Sequence, residues 1–237
     1  MKLFAFLLSA LAISSVVFAA DNFPVFHKAD VVLFQGDSIT DGGRARTGSD
    51  YNHTMGQDYA YIISARLGVS LAERDITFIN RGIAGNKVAD LAARWQNDTL
   101  NIKPDLISIM IGVNDTTGGV QAEQYGQVYD KLIADTLIAL PKVKIILCEP
   151  FMLPVGKYKD NFAKIRAELK KHQEVVEKLA VKYGLPIVHF QRAFDEACRK
   201  APPEHWIWDG VHPTYAGHGL MVEEWLHTVD QFWPQGV

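Results

Sequence analysis

This sequence of 237 residues has few cysteines, few long apolar runs and no large excess of charge of either sign. Lys and Arg number 24 and Asp and Glu number 27, so the net charge is −3. Proteins that bind the phosphates of nucleic acids are usually basic, and this balance argues against a nucleic-acid partner. The sequence also has no internal repeat, no low-complexity segment and no linker rich in proline and serine. With 48% hydrophobic residues, it is typical of one globular domain with a substantial core.

The longest apolar run is N-terminal: after Lys2, residues 3–18 carry no charge, and a small residue, Ala19, follows. This arrangement is typical of a secretory signal peptide. We therefore predict a signal peptide over residues 1–19, cleaved after Ala19, and a single mature domain over residues 20–237 that is periplasmic or secreted. A retained membrane anchor is the alternative, but about 16 apolar residues are fewer than the ~20 that span a bilayer. We expect no stable membrane insertion after cleavage.

The two cysteines, Cys148 and Cys198, leave their oxidation state open. An exported protein can keep a disulfide bond. Cys148 ends an apolar stretch that indicates a buried strand, and Cys198 falls in a predicted helix. A disulfide and two buried free thiols are therefore both consistent with the sequence.

Apolar strands alternate with helices along the whole chain. The predicted strands are residues 30–35, 76–80, 106–111, 143–148 and 187–190, and the predicted helices are residues 58–67, 87–95, 121–140, 162–183, 193–200 and 215–229. Strands that are apolar on both faces and alternate with helices imply a parallel sheet covered on both sides. We predict a three-layer α/β/α domain with a five-stranded parallel sheet, whose ligands bind at the carboxyl ends of the strands.

Two segments that follow predicted strands carry groups for acyl chemistry. In GDSIT, residues 36–40, Ser38 lies in a tight turn that would present its hydroxyl at the sheet edge. In NRGIAG, residues 80–85, glycine would let the backbone approach a ligand and expose an N–H group. Each pattern alone is equally explained by an ordinary turn or a helix N-cap.

Two later segments complete the set. In GVND, residues 112–115, the side-chain amide of Asn114 could donate a hydrogen bond to an oxyanion. In DGVHP, residues 209–213, Asp209 precedes His212 by three residues in a loop constrained by glycine and proline. This spacing lets the carboxylate hold the imidazole while its other nitrogen faces a serine. An Asx turn and a solvated surface loop are the alternatives for these two segments.

Taken together and in this order, GDSIT, NRGIAG, GVND and DGVHP resemble the SGNH or GDSL hydrolase family. The resemblance extends from Phe34 to Trp225. It implies a flavodoxin-like α/β/α sandwich and the hydrolysis of esters without a metal or an organic cofactor. By the same resemblance, Ser38 is the nucleophile, His212 is the general base and then the general acid, and Asp209 orients His212.

The resemblance also implies an oxyanion hole made by the backbone N–H of Ser38, the backbone N–H of Gly85 and the side chain of Asn114. In the family the donor glycine closes the second motif, which matches Gly85 better than Gly82, so Gly82 is the alternative donor. The chemistry agrees with the assigned roles, since a serine hydroxyl is a poor nucleophile until a base accepts its proton.

Three further residues are candidate substrate contacts. Trp206 and Trp208 precede the predicted catalytic aspartate, where flat aromatic faces suit sugar rings, although core packing explains them equally well. Asp37 precedes the predicted nucleophile and could contact substrate or brace the turn. His205 and His218 flank the predicted catalytic histidine, but their spacing matches no common zinc motif, so we predict no metal site.

The substrate class is suggested by the polar segment 41–57 after the predicted nucleophile, which favours a hydrophilic substrate over a long acyl chain. We therefore predict an exported esterase that removes acetyl groups from a polysaccharide or an oligosaccharide. A lysophospholipase or thioesterase-type lipid acylhydrolase is the alternative enzyme. A binding module with an inactive site is the alternative from another class, and the absence of hydrolysis of any short acyl ester would favour it.

Overall fold

The computed structural model describes residues 23–234. The predicted signal peptide, residues 1–19, lies outside the described part of the chain. Among the helices that are described, none combines the length and the apolar character needed to cross a membrane.

Five parallel strands form one sheet. They are β1 (Val31–Gly36), β2 (Thr77–Asn80), β3 (Leu106–Met110), β4 (Lys144–Cys148) and β5 (Ile187–Val188). The strand order is β2-β1-β3-β4-β5, which confirms the predicted five-stranded parallel sheet. The chain passes from β1 to β2 on one side and then crosses to β3 on the other. The loops after β1 and β3 therefore diverge, and such a switch point is where ligands bind in open α/β sheets.

Ten α-helices lie within the described residues. They are α1 (Ser38–Asp41), α2 (Tyr51–Met55), α3 (Tyr59–Ser70), α4 (Val88–Trp95), α5 (Val113–Thr117), α6 (Ala122–Ala139), α7 (Phe162–Tyr183), α8 (Phe190–Ala197), α9 (Pro203–Trp206) and α10 (Tyr215–Phe232). Their ends follow ordinary capping rules. Asp58 caps α3 by accepting hydrogen bonds from the N–H groups of Ala60 and Tyr61, and α7 ends at Gly184 in the left-handed conformation.

The sheet divides the core into two apolar clusters because successive side chains of a strand point to opposite faces. Val32 and Phe34 pack on the face covered by α3, α8 and α10. Leu33 packs on the opposite face with α4, α6 and α7. The predicted three-layer α/β/α arrangement is thereby confirmed. Both faces of the central strands are buried under helices.

The boundary between β5 and α8 differs from the prediction. We predicted a strand over residues 187–190 and a helix over residues 193–200, but β5 ends at Val188 and α8 begins at Phe190. Phe190 and Phe194 are four residues apart and both fully buried, so this stretch is the apolar face of a helix. Glu149 caps the first turn, because its Oε1 accepts a hydrogen bond from the N–H of Gln191 at 2.8 Å.

Both cysteines are free thiols, which decides between the two alternatives left open by the sequence. Cys148 is fully buried at the end of β4, with its Sγ 3.6 Å from Ser108 Oγ. Burial raises the pKa of the Cys148 thiol to about 12. Cys198 is half-buried just after α8. A protonated and inaccessible Cys148 is a packing residue.

Trp225 is the largest fully buried side chain in the cluster under α10. Its ring centroid lies 6.0 Å from that of Phe34, and its Nε1 donates a hydrogen bond to Ser108 Oγ at 3.0 Å. Ser108 is a polar residue in the middle of the central strand β3, and it is completely buried. The indole therefore fills the core and satisfies its own polar group against the sheet.

Removing that acceptor is expected to destabilise the protein. We expect Ser108→Ala to lower the free energy of unfolding by about 1–3 kcal/mol, because the buried Trp225 N–H loses its partner. Denaturant unfolding of the wild type, both single variants and the double variant with Trp225→Phe measures the coupling. The loss from Ser108→Ala should shrink in the Trp225→Phe background. An equal loss in both backgrounds would show that this hydrogen bond does not contribute.

Candidate active site

Ser38 stands at the switch point, directly after β1 and at the first position of α1. The turn is braced by Asp37, whose carboxylate accepts a hydrogen bond from the N–H of Ile39 at 3.0 Å. Ser38 lines a cleft of about 630 Å³ that is open to solvent. Its hydroxyl is therefore held on a rigid turn and remains accessible to a ligand.

The loop that carries Asp209 and His212 is closed on itself. One carboxylate oxygen of Asp209 accepts hydrogen bonds from the N–H groups of Val211, at 3.0 Å, and His212, at 2.8 Å. The N–H of Trp208 donates to the His212 carbonyl oxygen at 3.0 Å, which fastens the two sides of the loop. Asp209 thus shapes the loop with one oxygen and keeps the other for the imidazole.

Ser38, His212 and Asp209 form one continuous hydrogen-bonded chain. Ser38 Oγ lies 2.8 Å from His212 Nε2, and His212 Nδ1 lies 2.6 Å from Asp209 Oδ2. An ionised carboxylate only accepts hydrogen bonds, so the proton of the neutral imidazole resides on Nδ1. Nε2 then accepts a hydrogen bond from the Ser38 hydroxyl, which is the geometry of a base poised to take that proton.

Hydrogen bonding keeps Asp209 ionised. Partial burial is the largest single influence on this carboxyl group and raises its pKa. Hydrogen bonds from the backbone and the imidazole of His212, and from the N–H of Val211, outweigh burial and bring the pKa below its ordinary value. The carboxylate can therefore stabilise a positively charged imidazolium.

The two glycines of the second motif occupy very different places. The N–H of Gly82 donates to Asn80 Oδ1 at 2.8 Å, and a Cβ at this position would lie 2.4 Å from the backbone nitrogen of Asp41. Gly82 is thus committed to close packing. Gly85 is exposed with a φ of 81°, and its N–H has no acceptor within residues 23–234. Of the two, Gly85 has the free N–H that an oxyanion needs.

Asn114 lies on the neighbouring loop, in α5. Its side-chain nitrogen donates to the Asn86 carbonyl oxygen at 3.1 Å, which ties the loop after β3 to the loop after β2. An amide nitrogen carries two hydrogens, so one remains available. The N–H of Ser38 also lacks an acceptor among the described residues. Three free donors therefore lie on the loops that follow β1, β2 and β3.

Two of the three predicted substrate contacts do not lie on the cleft surface. Asp37 is 0% exposed, so no ligand can reach its side chain. Trp206 packs against the core, and its Nε1 donates to the Ala201 carbonyl oxygen. Trp208 does line the cleft: it is 62% exposed and stacks on the His212 ring, with centroids 5.6 Å apart.

The cleft also contains residues that sequence reasoning did not single out as contacts. Tyr215, at the start of α10, is 88% exposed, and Gln57 and His218 complete the wall. His218 Nδ1 accepts a hydrogen bond from the N–H of Tyr59, while burial, with a smaller effect of His212, lowers the pKa of His218 to about 4. His218 is therefore a neutral polar group. No local motif marks these positions, because only the fold brings them beside Ser38.

The histidines that flank His212 do not assemble into a metal site in the described part of the chain. The group of potential ligands found there is Glu149, Glu177 and His189, whose ligand atoms lie within 4.8 Å of one another. Glu149 directly follows β4, and His189 directly follows β5. Glu149 is already engaged, because its oxygens accept a hydrogen bond from Gln191 and contact His189 Nδ1 at 3.4 Å. This buried carboxylate is a structural residue at that edge of the sheet.

Residues 34–220, which include all four motifs, match the model of the GDSL-like lipase/acylhydrolase family. The chain belongs to this family. As a GDSL family member it is a carboxylic ester hydrolase, as the motifs predict. Ser38, Asp209 and His212, which form the hydrogen-bonded chain described above, thus lie within the segment that matches the family.

Relatives of this GDSL hydrolase include proteins of known structure. An acetylxylan esterase from Geobacillus stearothermophilus is 35% identical over 214 residues, which are 85% of this chain and 94% of the relative. A crystal structure of an acetylxylan esterase from that organism matches with a TM-score of 0.76 and 33% identity, over 86% of this chain and 95% of that one. A structure described as a GDSL-like lipase from Parabacteroides merdae matches with a TM-score of 0.82 and 36% identity, over 86% and 97% of the two chains. The predicted family and fold are confirmed.

The buried carboxyl group of Asp37 is expected to make stability depend on pH. Burial raises its pKa from 3.8 to about 7, and the charge of Asp115 adds to this, although the Ile39 N–H opposes it. The folded state then keeps a proton that the unfolded chain loses, so stability falls as pH rises from 3.8 to about 7. Asp37→Asn keeps a capping oxygen but cannot ionise.

Denaturant unfolding at a series of pH values tests this expectation. Over the interval from pH 3.8 to about 7, the free energy of unfolding should fall less steeply in Asp37→Asn than in the wild type. Parallel curves for the two proteins would show that Asp37 does not titrate in this range.

Proposed function

We propose that this esterase is exported and removes acetyl groups from a xylan-type polysaccharide or its oligosaccharides. Ser38, His212 and Asp209 would carry the reaction. The observation that carries the proposal is the hydrogen-bonded chain from Ser38 through His212 to Asp209, which lies at a cleft lined in part by charged and polar side chains. The likeness to an acetylxylan esterase supports the choice of acyl group and polymer.

Acylation begins when Ser38 Oγ attacks the acetyl carbonyl carbon and His212 Nε2 takes the hydroxyl proton. The tetrahedral intermediate then expels the sugar oxygen, which leaves as an alcohol after receiving that proton from His212. This half-reaction forms an acetyl-serine ester and frees one sugar hydroxyl. Asp209 stays ionised throughout and stabilises the imidazolium.

Deacylation reverses the roles of the groups. A water molecule gives a proton to His212 Nε2 and attacks the carbonyl carbon of the acetyl-serine ester. The second intermediate collapses, acetate leaves, and Ser38 Oγ recovers its proton from His212. In both intermediates the developing oxyanion would accept hydrogen bonds from the N–H of Ser38, the N–H of Gly85 and the side-chain amide of Asn114.

The surroundings of Ser38 favour a short acyl group on a polar carrier. The cleft is lined by Asp41, Arg44, Arg46 and Gln57. A long alkyl chain bound there would take water away from these charged and polar groups without replacing its hydrogen bonds, which is unfavourable. Trp208 and Tyr215 expose flat aromatic faces at its rim, where sugar rings can stack. These features support a carbohydrate ester over the alternative lipid substrate.

Export is supported by the charge-free run over residues 3–18 and the small residue Ala19 that follows it. The substrate supports it too, because polysaccharides of the xylan type lie outside the cell. The mass of the mature protein, recovered from cells that express the full chain, shows whether cleavage occurs after Ala19.

Hydrolysis of p-nitrophenyl esters from acetate to palmitate tests the proposal. We expect the highest activity on acetate, a collapse by hexanoate, and no activity in Ser38→Ala, because the nucleophile is lost. Ser64→Ala is a matched control, since Ser64 Oγ donates to the Ala60 carbonyl oxygen within α3. Release of acetate from acetylated xylan should follow the same pattern. A preference for octanoate or longer chains would favour the lipid acylhydrolase, and activity surviving in Ser38→Ala would contradict the nucleophile.

The same acetate assay measures the contribution of Asn114. We expect Asn114→Ala to lower kcat by about 100- to 1000-fold, because one oxyanion donor disappears. Asn97→Ala is the matched control: this residue is exposed, and its side-chain oxygen accepts a hydrogen bond from Asn101. If Asn114→Ala kept the activity of the control, Asn114 would not belong to the oxyanion hole.

A further inference from the structure

A second cavity, of about 320 Å³, adjoins the catalytic cleft. The two spaces share Arg44 and Arg46 in their walls, and Arg81 lines the second one alone. We call this space the arginine cavity. Its polar lining further includes Thr54, Thr77 and Asn80, but no Asp or Glu among the described residues. Three arginines thus line a space whose wall, within residues 23–234, includes no Asp or Glu.

The positive charge of the arginine cavity is only partly balanced. Arg46 pairs with Asp41, which lies on the side of the catalytic cleft. Asp50, close along the chain, is engaged in capping α2 and in a contact with His53. Arg44 and Arg81 have no ion-pair partner within residues 23–234. Two of the three arginines that line the cavity therefore have no ion pair within residues 23–234.

Several hydrogen-bond donors of Arg44 and Arg81 have no acceptor among the described residues. Arg44 donates from Nε to the Gly82 carbonyl oxygen at 3.0 Å, which leaves its two terminal nitrogens without a partner among the described residues. Arg81 Nε is buried and has no hydrogen-bond partner there. Buried polar groups are normally paired, so the unpaired Nε of Arg81, a residue that lines the cavity, indicates a missing acceptor.

Crowding of like charges strengthens this argument. Burial, followed by repulsion from Arg46, lowers the pKa of Arg44 to about 10, and Asp41 opposes the shift only in part. A charged group in such surroundings is stabilised by an opposite charge that reaches it. The fork of a guanidinium matches a planar carboxylate and can bind it through two parallel hydrogen bonds.

We propose that the arginine cavity is a subsite for the carboxylate of an acidic sugar, so that the preferred substrate is an acetylated polysaccharide bearing uronic acid residues. The inference rests on the proposed carbohydrate deacetylation. The acetyl group would be at Ser38 while the carboxylate of the same or a neighbouring sugar contacts Arg44 and Arg81. Because the cavity shares a wall with the cleft, one oligosaccharide can reach both.

The test compares two acetylated xylo-oligosaccharides of equal length and acetylation, one of them carrying a glucuronic acid substituent. Wild-type kcat/KM should be at least ~10-fold higher for the acidic substrate, as expected for a charge-assisted pair. Arg81→Gln should bring the ratio of acidic to neutral kcat/KM close to one. Arg81 is the residue to change, because Arg44 and Arg46 line the catalytic cleft and also hold the Gly82 carbonyl.

Arg199→Gln is the matched control, because it removes the same charge from an exposed residue that does not line the cavity. It should keep the wild-type ratio. The preference should also weaken as sodium chloride is raised, since salt screens the interaction.

Equal kcat/KM for both substrates, or an unchanged ratio in Arg81→Gln, would overturn the subsite. A larger gain from a sulfated than from a uronate-bearing oligosaccharide would overturn the assignment to a carboxylate. If neither oligosaccharide is deacetylated while p-nitrophenyl acetate is hydrolysed, the proposed carbohydrate function fails and the inference falls with it. That outcome is distinct from equal turnover of both substrates, which would overturn the subsite alone.

Discussion

The carboxylate of Asp209 can only accept hydrogen bonds, and this constraint determines how the rest of the site is arranged. One of its oxygens holds the loop by binding two backbone N–H groups, and the other binds His212 Nδ1. The imidazole proton is thereby kept on Nδ1, and Nε2 faces the Ser38 hydroxyl as a base. Asp209 therefore stabilises the fold of its own loop and also orients the His212 imidazole.

The opposite side of the cleft depends on a buried polar framework. Asn80, at the end of β2, donates to the Met55 carbonyl oxygen at 2.8 Å and accepts from the N–H of Gly82. Asp41 accepts from the N–H of Ala84 at 2.8 Å. These contacts fasten the segment that carries Gly85 to α1 and α2, so its free N–H is presented on a rigid frame. Preorganised donors of this kind are what an oxyanion requires.

Local charge in this protein differs from its overall charge. The chain has a net charge of −3, yet Arg44, Arg46 and Arg81 gather around one cavity beside the nucleophile. A composition near neutrality says little about the potential at a site, because distant charges are screened while clustered ones add. The acidic balance that argues against nucleic acid is therefore compatible with a subsite that attracts a small anion.

Periodicity and motifs in the sequence were sufficient to predict the five strands, a parallel sheet covered by helices on both faces, and the family. Strands and helices can be predicted in this way because the spacing of apolar residues along the chain follows the period of each kind of element. The motifs also led to Ser38, Asp209 and His212. The structure brings Ser38 and His212 within 2.8 Å, although they are 174 residues apart.

Tertiary structure alone decided what depends on contacts between distant segments. The resemblance favours Gly85 over Gly82 as the donor, but only the structure shows that the Gly82 N–H is bound to Asn80 and that Gly82 packs against Asp41. Trp206 and Trp208 are equally plausible contacts until the fold packs Trp206 against the core and exposes Trp208 in the cleft. The start of α8 depends on Glu149, whose carboxylate arrives from the end of β4. The arginine cavity likewise joins residues from separate segments, and only the fold buries Arg81 Nε without a partner among the described residues.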